Sequence, residues 1–313
     1  MRHERVPKPK GRAARRVRAP RQTLFRLGKR DVNRYDLYEM AVQSPALEAA
    51  FLRAVHGGEP RVLGEDFCGP ASVARAWCAS DPEATAVGVD LDEEPLEHAR
   101  ARVEEHDLSH EPPIGKRLTL RCRDVLEARD KADVIAALNF AACELHQRRW
   151  LVSYLRAALS RLKTGGVIVC DLYAGAGAWT LGVTEKPVPT ESGVVRYLWE
   201  QRAADPFDAR VTNAIHFVLP GRGSEKSRTY GDAFVYDWRL WSAPELRDAM
   251  REAGFASTEV YTSYGDAVDE AGNLYVSAAA TDDEAMHPDD IAELAESDDC
   301  VVYVVGRVNR REG

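Results

Sequence analysis

From Asp31 onward the apolar residues fall into two alternating periods. Tyr35, Leu37, Tyr38, Ala41 and Val42, then Leu47, Ala50, Phe51 and Val55, recur at helical spacing. Ser44-Pro45 reads as a cap and first turn between two helices, and Gly57-Gly58 as the stop. Short apolar runs then alternate with helical ones. Arg61–Phe67, Ala84–Val89, Leu118–Arg123, Ala132–Leu138 and Val167–Leu172 read as strands. Ser72–Ala79, Glu93–His106 and Gln147–Leu162 read as helices, a short helical stretch follows the third strand, and Lys163–Gly166 reads as a turn. Strands this short and this apolar, separated by helices, predict a parallel sheet covered on both faces.

After Tyr173 the alternation stops. Arg196–Arg202, Asn213–Leu219 and Phe234–Trp241 read as antiparallel strands of an insertion spanning 173–241. In the last of them Phe234, Tyr236, Trp238 and Leu240 alternate with Val235, Asp237 and Arg239. A small antiparallel layer needs such aromatics for its own core, and that role is expected of them ahead of the alternative, a substrate cage. Pro244–Ala253 resumes a helix ended by Gly254, Ser257–Thr262 is a sixth strand, and Val301–Val308 is a final one.

Composition excludes a disordered or collagen-like chain: of 313 residues, 45% are hydrophobic and 29% charged. The net charge of -8 hides an asymmetry. Met1–Arg30 holds twelve of the 42 basic residues and one of the 50 acidic ones, so it is +11 and the remainder -19. Residues 1–30 have no apolar period and read as a disordered tail. A body this acidic is no general nucleic-acid binder, so only the tail could meet nucleic acid. Residues 265–299 are weakly patterned, with twelve acids and no Lys or Arg from Asp266 on, and read as an enlarged loop. Either both segments are solvated, or the tail rests loosely on the acidic loop. In both cases deleting Met1–Arg30 should leave the melting temperature nearly unchanged, because the tail lacks apolar anchors.

The six cysteines form no CxxC and lie mostly in apolar runs, so neither a disulfide framework nor a metal site is expected. The apolar run Val134–Cys143 is too short to span a bilayer, and no apolar stretch follows the basic N-terminus. A cytoplasmic protein without membrane partners is expected.

The chemistry gathers where the strands end. The first ends at Glu65-Asp66, the second at Asp90 and the third at Asp124. In an open parallel sheet ligands bind outside the carboxyl ends of the strands, so these carboxylates share one rim. The first strand runs into Phe67-Cys68-Gly69-Pro70-Ala71, where Gly69 and Ala71 admit a ligand to the backbone and Pro70 suits a first helical position. A dinucleotide needs a G-x-G-x-x-G turn for its pyrophosphate, and only one glycine is present. A nucleoside without phosphate fits better: its ribose hydroxyls can donate to Asp90 and its adenine amine to Asp124. A sulfonium beside carboxylates is also favoured. These features describe S-adenosylmethionine (SAM).

On these residues the chain resembles the class I SAM-dependent methyltransferases. VLGEDFCGPASVA (62–74) resembles their first motif, with Glu65 on the acidic position, Gly69 and Ala71 on the second and third glycine positions, and Phe67 replacing the first. VGVDLD (87–92) resembles the second, with Asp90 as the ribose acid, and RCRDV (121–125) the third, with Asp124 and Val125 beside the adenine. LKTGG and EAGF resemble the turns before the fifth and sixth strands. A closer likeness is to mostly uncharacterised members that combine EDFCG with YxLYxxAVQ, here Tyr35–Gln43, and an Asn-Phe after the fourth strand, here Asn139-Phe140.

The resemblance implies an α/β, Rossmann-like fold. Its sheet would have seven mostly parallel strands with helices on both faces, and the antiparallel insertion would follow the fifth strand. Residues 59–308 would form the methyltransferase domain and 31–58 a helical cover. SAM would lie against Glu65, Phe67, Cys68, Gly69, Ala71, Asp90, Leu91, Asp124, Val125 and Asn139. Asp90 and Asp124 could alternatively cap helices, and Tyr35 and Tyr38 either pack in the core or close over the cofactor. No general base follows from the motifs, since an amine attacks when neutral and only a hydroxyl needs help. Asn139, His146 and Tyr173 lie at or just past strands four and five and are the catalytic candidates. Packing or solvation competes with a base role for His146, and backbone satisfaction with a binding role for Asn139. The expected reaction is methyl transfer to a small molecule, or to an amine or hydroxyl of a larger one. The alternatives are a nucleic-acid or ribosome-associated methyltransferase using the tail, and a SAM-binding protein without catalysis.

Overall fold

The computed structural model describes residues 15–18, 32–191, 193–221, 226–264, 267–268, 273–296 and 300–309. A short strand, β1 (Arg15–Arg18), and two helices, α1 (Arg34–Ala41) and α2 (Pro45–His56), come first. Then β2 (Val62–Asp66), α3 (Ser72–Ser80), β3 (Thr85–Asp90), α4 (Glu93–Asp107), β4 (Leu118–Cys122), β5 (Ala132–Ala137), α5 (Arg148–Arg161) and β6 (Leu162–Ala174) alternate. The insertion is β7 (Gly182–Thr190), β8 (Gly193–Asp205), β9 (Arg210–Leu219) and β10 (Arg228–Arg239). After it come α6 (Ala243–Ala253), β11 (Ser257–Tyr261), β12 (Ala267–Val268), β13 (Asn273–Val276), β14 (Ala280–Thr281), α7 (Pro288–Glu296) and β15 (Cys300–Arg307).

The central sheet has the order β14-β11-β15-β6-β5-β2-β3-β4. From β4 to β6 the neighbours are parallel, and β15 enters antiparallel between β6 and β11. Sequence order runs outward in one direction from β2 to β4 and in the other from β5 to β6, so the switch point lies at the carboxyl ends of β2 and β5. Helices α2, α3 and α4 cover one face through Phe51, Trp77 and Leu96, and α5 and α6 the other through Tyr154, Leu155 and Met250. The insertion is a separate sheet of order β10-β9-β8-β7.

Four expectations need correction. The central sheet has eight strands instead of seven, because Ala280–Thr281 adds to the open edge of β11. The insertion has four strands; Pro187 and Pro189 mask β7, which is tolerated because β7 is an edge. Leu162–Gly166 belongs to β6, and a register shift between Ala132 and Val134 takes up its irregular path, with Gly165 at φ +75°. Finally, neither the 1–30 tail nor the 265–299 loop is without structure throughout. Arg15–Arg18 pairs antiparallel with Asn273–Val276, and Arg15 donates to Glu259 (2.8 and 2.9 Å) and to the Val55 carbonyl (2.7 Å). The rest of 1–30 lies outside the described residues, apart from this strand. The anchor is ionic and backbone-mediated, which an apolar-period argument does not detect.

Candidate active site

At the switch point β2 opens into a turn that spends three residues in the left-handed region: Phe67 (φ +54°), Gly69 (+49°) and Ala71 (+51°). For an L-residue this costs about 1–2 kcal/mol, so the surroundings must hold it. The Cys68 amide donates to the Val89 carbonyl (3.0 Å), the Ala71 amide to the Cys68 carbonyl (2.8 Å) and the Gly69 amide to the Asp90 carboxylate (2.7 Å). A Cβ on Gly88 would meet Cys68 Sγ and Leu120 Cδ2 at 3.0 Å, so bare backbone there lets the turn press onto β3. A Cβ on Gly69 would meet nothing within 4 Å, so the turn faces open space. Phe67 takes a glycine-like conformation without being glycine, its ring packed edge-on against Tyr154 at 5.3 Å. Pro70 precedes the helix start by two residues and so is not its first position.

The rim acids divide by role. Asp66 is buried and held by Arg161 and Tyr154, so it is closed to a ligand. Glu65 is buried beneath the turn and accepts from the Ala74 amide (2.7 Å). Burial, opposed by that hydrogen bond, pushes its carboxyl up to about 8. Asp90 is half-buried and braces two loops, accepting from Gly69 and, through its other oxygen, from the Asp92 amide (2.9 Å). Asp124 is exposed and caps the helical turn Val125–Glu127 through the Leu126 amide (2.8 Å). Leu91 is 74% exposed beside Asp90, whereas Val125 is buried.

Helix α1 lies across this edge. Glu39 accepts from Ser72 (2.8 Å) and pairs with Arg75 at the start of α3, while Asp36 pairs with Arg102 of α4. Its other side meets the insertion: Tyr35 and Tyr38 pack on Phe234, and Tyr38 and Tyr236 join the same apolar cluster. Tyr38 therefore bridges from the cover to the insertion sheet.

Beneath that bridge is a cavity of about 480 Å³. Asn139, Phe140, Asp171 and Tyr173, from the ends of β5 and β6, form one side. Tyr197, Trp199, Tyr236 and Trp238 of the insertion form the opposite side, and Tyr264 and Tyr303 a third. Thr184, Glu185 and Lys186 of the exposed edge strand stand at its mouth. The insertion aromatics thus pack together, as expected, and also line a chamber. Alternation identifies the face on which side chains stand but not whether a void remains above it.

Asn139 and Phe140 are both left-handed (φ +59° and +64°), and one carboxylate holds them there: Asp171 accepts from the Asn139 amide (2.8 Å) and the Phe140 amide (2.7 Å). Burial, opposed by these two amides, pushes Asp171 up to about 7. Glu48 of α2 is also buried, with Oε2 lacking any hydrogen-bond partner among the described residues, and its charge raises both Glu65 and Asp171. Sequence reasoning missed Asp171 and Glu48. The only signals were an acid late in an apolar strand and one in an otherwise apolar helix. Of the catalytic candidates, Asn139 and Tyr173 line the cavity, whereas His146 is not among its lining residues and hydrogen-bonds the Asp237 carbonyl (2.6 Å).

No protein-family model and no curated protein matches the sequence. Solved structures do match the fold. A SAM-dependent methyltransferase from Clostridium acetobutylicum is 15% identical over 88% of this chain and 97% of its own, with a TM-score of 0.60. The sugar N-methyltransferase KedS8 from Streptoalloteichus sp. is 17% identical over 94% and 99%, TM-score 0.57. SAM-bound CalS10 from Micromonospora echinaspora, an amino pentose methyltransferase, is 18% identical over 80% and 98%, TM-score 0.55. The chain has the fold of SAM-dependent methyltransferases. Among the described residues no helix is long and apolar enough to cross a membrane.

Proposed function

We propose that this chain is a SAM-dependent methyltransferase whose acceptor is a small molecule received in the aromatic cavity. One observation carries the reading: the open Gly69 turn braced by Asp90 sits at the carboxyl end of β2, and the Asn139-Phe140 loop, which lines the cavity, follows the adjacent strand β5. A donor site and an acceptor site therefore share one edge of the sheet. The turn fits the donor, since Gly69 faces open space and no second glycine prepares a pyrophosphate seat. Asp90 would receive the ribose hydroxyls, Leu91, Asp124 and Val125 the adenine, and Glu65 would lie beneath the methionine end with Phe67, Cys68 and Ala71. Bound there, SAM supplies an activated methyl, and the protein's task is alignment and exclusion of water. The named neighbours with sugar and amino pentose acceptors support a small-molecule acceptor. Residues 31–58 act as the cover, 59–308 as the methyltransferase domain, and 173–241 as the acceptor-binding insertion. Within the basic tail Arg15 is engaged with Glu259, so it is not free to serve a nucleic-acid arm.

Calorimetry with SAM, S-adenosylhomocysteine and NAD tests the donor site: the first two should bind and NAD should not. Transfer of radiolabelled methyl into the small-molecule fraction of a cell extract tests the acceptor. Label appearing only in RNA or protein would overturn the small-molecule reading, and binding without any transfer would point to a SAM-binding protein.

A further inference from the structure

The cavity wall is a connected set of rings. Phe140 lies 5.5 Å from Tyr173 and 5.4 Å from Trp238, Tyr173 lies 5.7 Å from Trp199, and Trp199 lies 6.0 Å from Trp238, all between centroids. Into the same space opens Asp171, only 4% exposed. Its hydrogen bonds come from two backbone amides, and among the described residues no Lys or Arg forms an ion pair with it. Lys186 stands at the exposed mouth. Glu48 and Glu65, buried nearby, likewise have no ion-pair partner among the described residues.

Two physical facts bear on this arrangement. Ring faces present negative potential and attract a cation placed over them. A buried carboxylate without a basic partner is costly unless it is neutral or a cation arrives. An anionic acceptor would be repelled by both features, and a neutral polyol would make no use of either, whereas a cation is attracted by the rings and by the acid once it is ionised.

We propose that the acceptor is a small organic amine, its cationic forms held by Phe140, Tyr173, Trp199 and Trp238 with Asp171 as counter-ion. This rests on the methyltransferase reading of the adjoining turn. The ammonium gives one proton to water at the mouth, freeing the nitrogen lone pair. That pair forms the new C–N bond while the C–S bond of SAM breaks, its electrons staying on sulfur as S-adenosylhomocysteine. The positive charge leaves sulfur and appears on the methylated nitrogen, which the cage still accommodates.

The test uses the full chain saturated with S-adenosylhomocysteine, saturation being verified by calorimetry. Tryptophan fluorescence then compares choline with its uncharged carbon isostere, 3,3-dimethyl-1-butanol. Choline should bind about tenfold tighter or better. Trp199→Leu should abolish that preference while retaining weak binding of the alcohol. Asp171→Asn should weaken choline about tenfold and leave the alcohol unchanged. Because Asp171 also shapes the Asn139-Phe140 loop, the Trp199 variant carries the test if Asp171→Asn misfolds. Equal binding of the two probes, preference for the alcohol, or binding of neither to the saturated chain would overturn the amine assignment alone. Failure of S-adenosylhomocysteine to bind would overturn the methyltransferase reading, and the amine with it.

Discussion

Arg161 grips the Asp66 carboxylate with both terminal nitrogens, at 2.9 and 3.0 Å, inside the core between α5 and the end of β2. This pair takes Asp66 out of the rim and leaves Glu65 as the acid of the dipeptide assigned to the proposed donor site. Arg161→Met should destabilise the protein by about 3–5 kcal/mol, since it leaves a buried carboxylate with only Tyr154 to satisfy it. Urea unfolding measures this. Asp66→Leu combined with Arg161→Met should recover much of the loss, and an equal loss in the double variant would mean that packing dominates.

Asp90 and Asp124 should differ in weight. Asp90→Ala removes the proposed ribose acceptor and releases the Gly69 and Asp92 amides, so S-adenosylhomocysteine should bind about 2–4 kcal/mol more weakly. Asp124 is exposed and its known partner is one amide, so Asp124→Ala should cost less. Calorimetry on both variants checks the order, and a larger effect at Asp124 would reverse the assignment of the rim.

Stability should depend on pH in both directions. Glu65, at about 8, and Asp171, at about 7, hold protons in the folded state that the unfolded chain releases near pH 4. The native state then binds more protons, so their contribution is complete below about pH 4 and is lost as pH rises through 7 to 8. Glu259 acts oppositely. Burial alone would raise it, but Arg307 and Arg15 hold it at about 2, so its contribution is present above about pH 4.5 and lost toward pH 2. The ligand-free protein should melt highest near pH 5, and Asp171→Asn should flatten the decline toward pH 8. A melting temperature constant from pH 5 to 8 would contradict this.

Arg15 should matter to stability. Its guanidinium joins Glu259, Tyr261 and the Val55 carbonyl at the end of α2. Arg15→Ala should cost about 1–3 kcal/mol, a drop in melting temperature of about 2–8 °C. Deleting Met1–Arg30 should do at least as much, in contrast to the sequence-based expectation of no change. Differential scanning calorimetry of both variants at moderate salt decides between the two.

What was legible in the sequence was what is local. Strand ends at Asp66, Asp90 and two residues before Asp124 follow from runs of a few residues, as do the Gly57 and Gly254 helix stops, both in the left-handed conformation. What escaped depends on distant partners. Asp171 reads as one acid in an apolar strand, and its meaning comes from amides about thirty residues earlier. β1 is four basic-rich residues that become a strand only against Asn273–Val276, and the eighth strand is two residues that exist only through β11. His146 lies near a strand end as expected, yet the turn after β5 carries it to the Asp237 carbonyl.

The split between the two sides of the site has an evolutionary consequence. The residues assigned to the donor all fall within the stretch 65–125, at the ends of three successive strands, with Asn139 as the one outlier. The insertion strands β8 to β10 pair only among themselves and β7, and contribute Trp199 and Trp238 to the other wall. On the proposed function, substitutions there would redraw what is methylated without touching what supplies the methyl. A lineage built this way can exchange acceptors by drift in one meander, and transplanting residues 182–239 between such enzymes should move acceptor preference while leaving donor affinity behind.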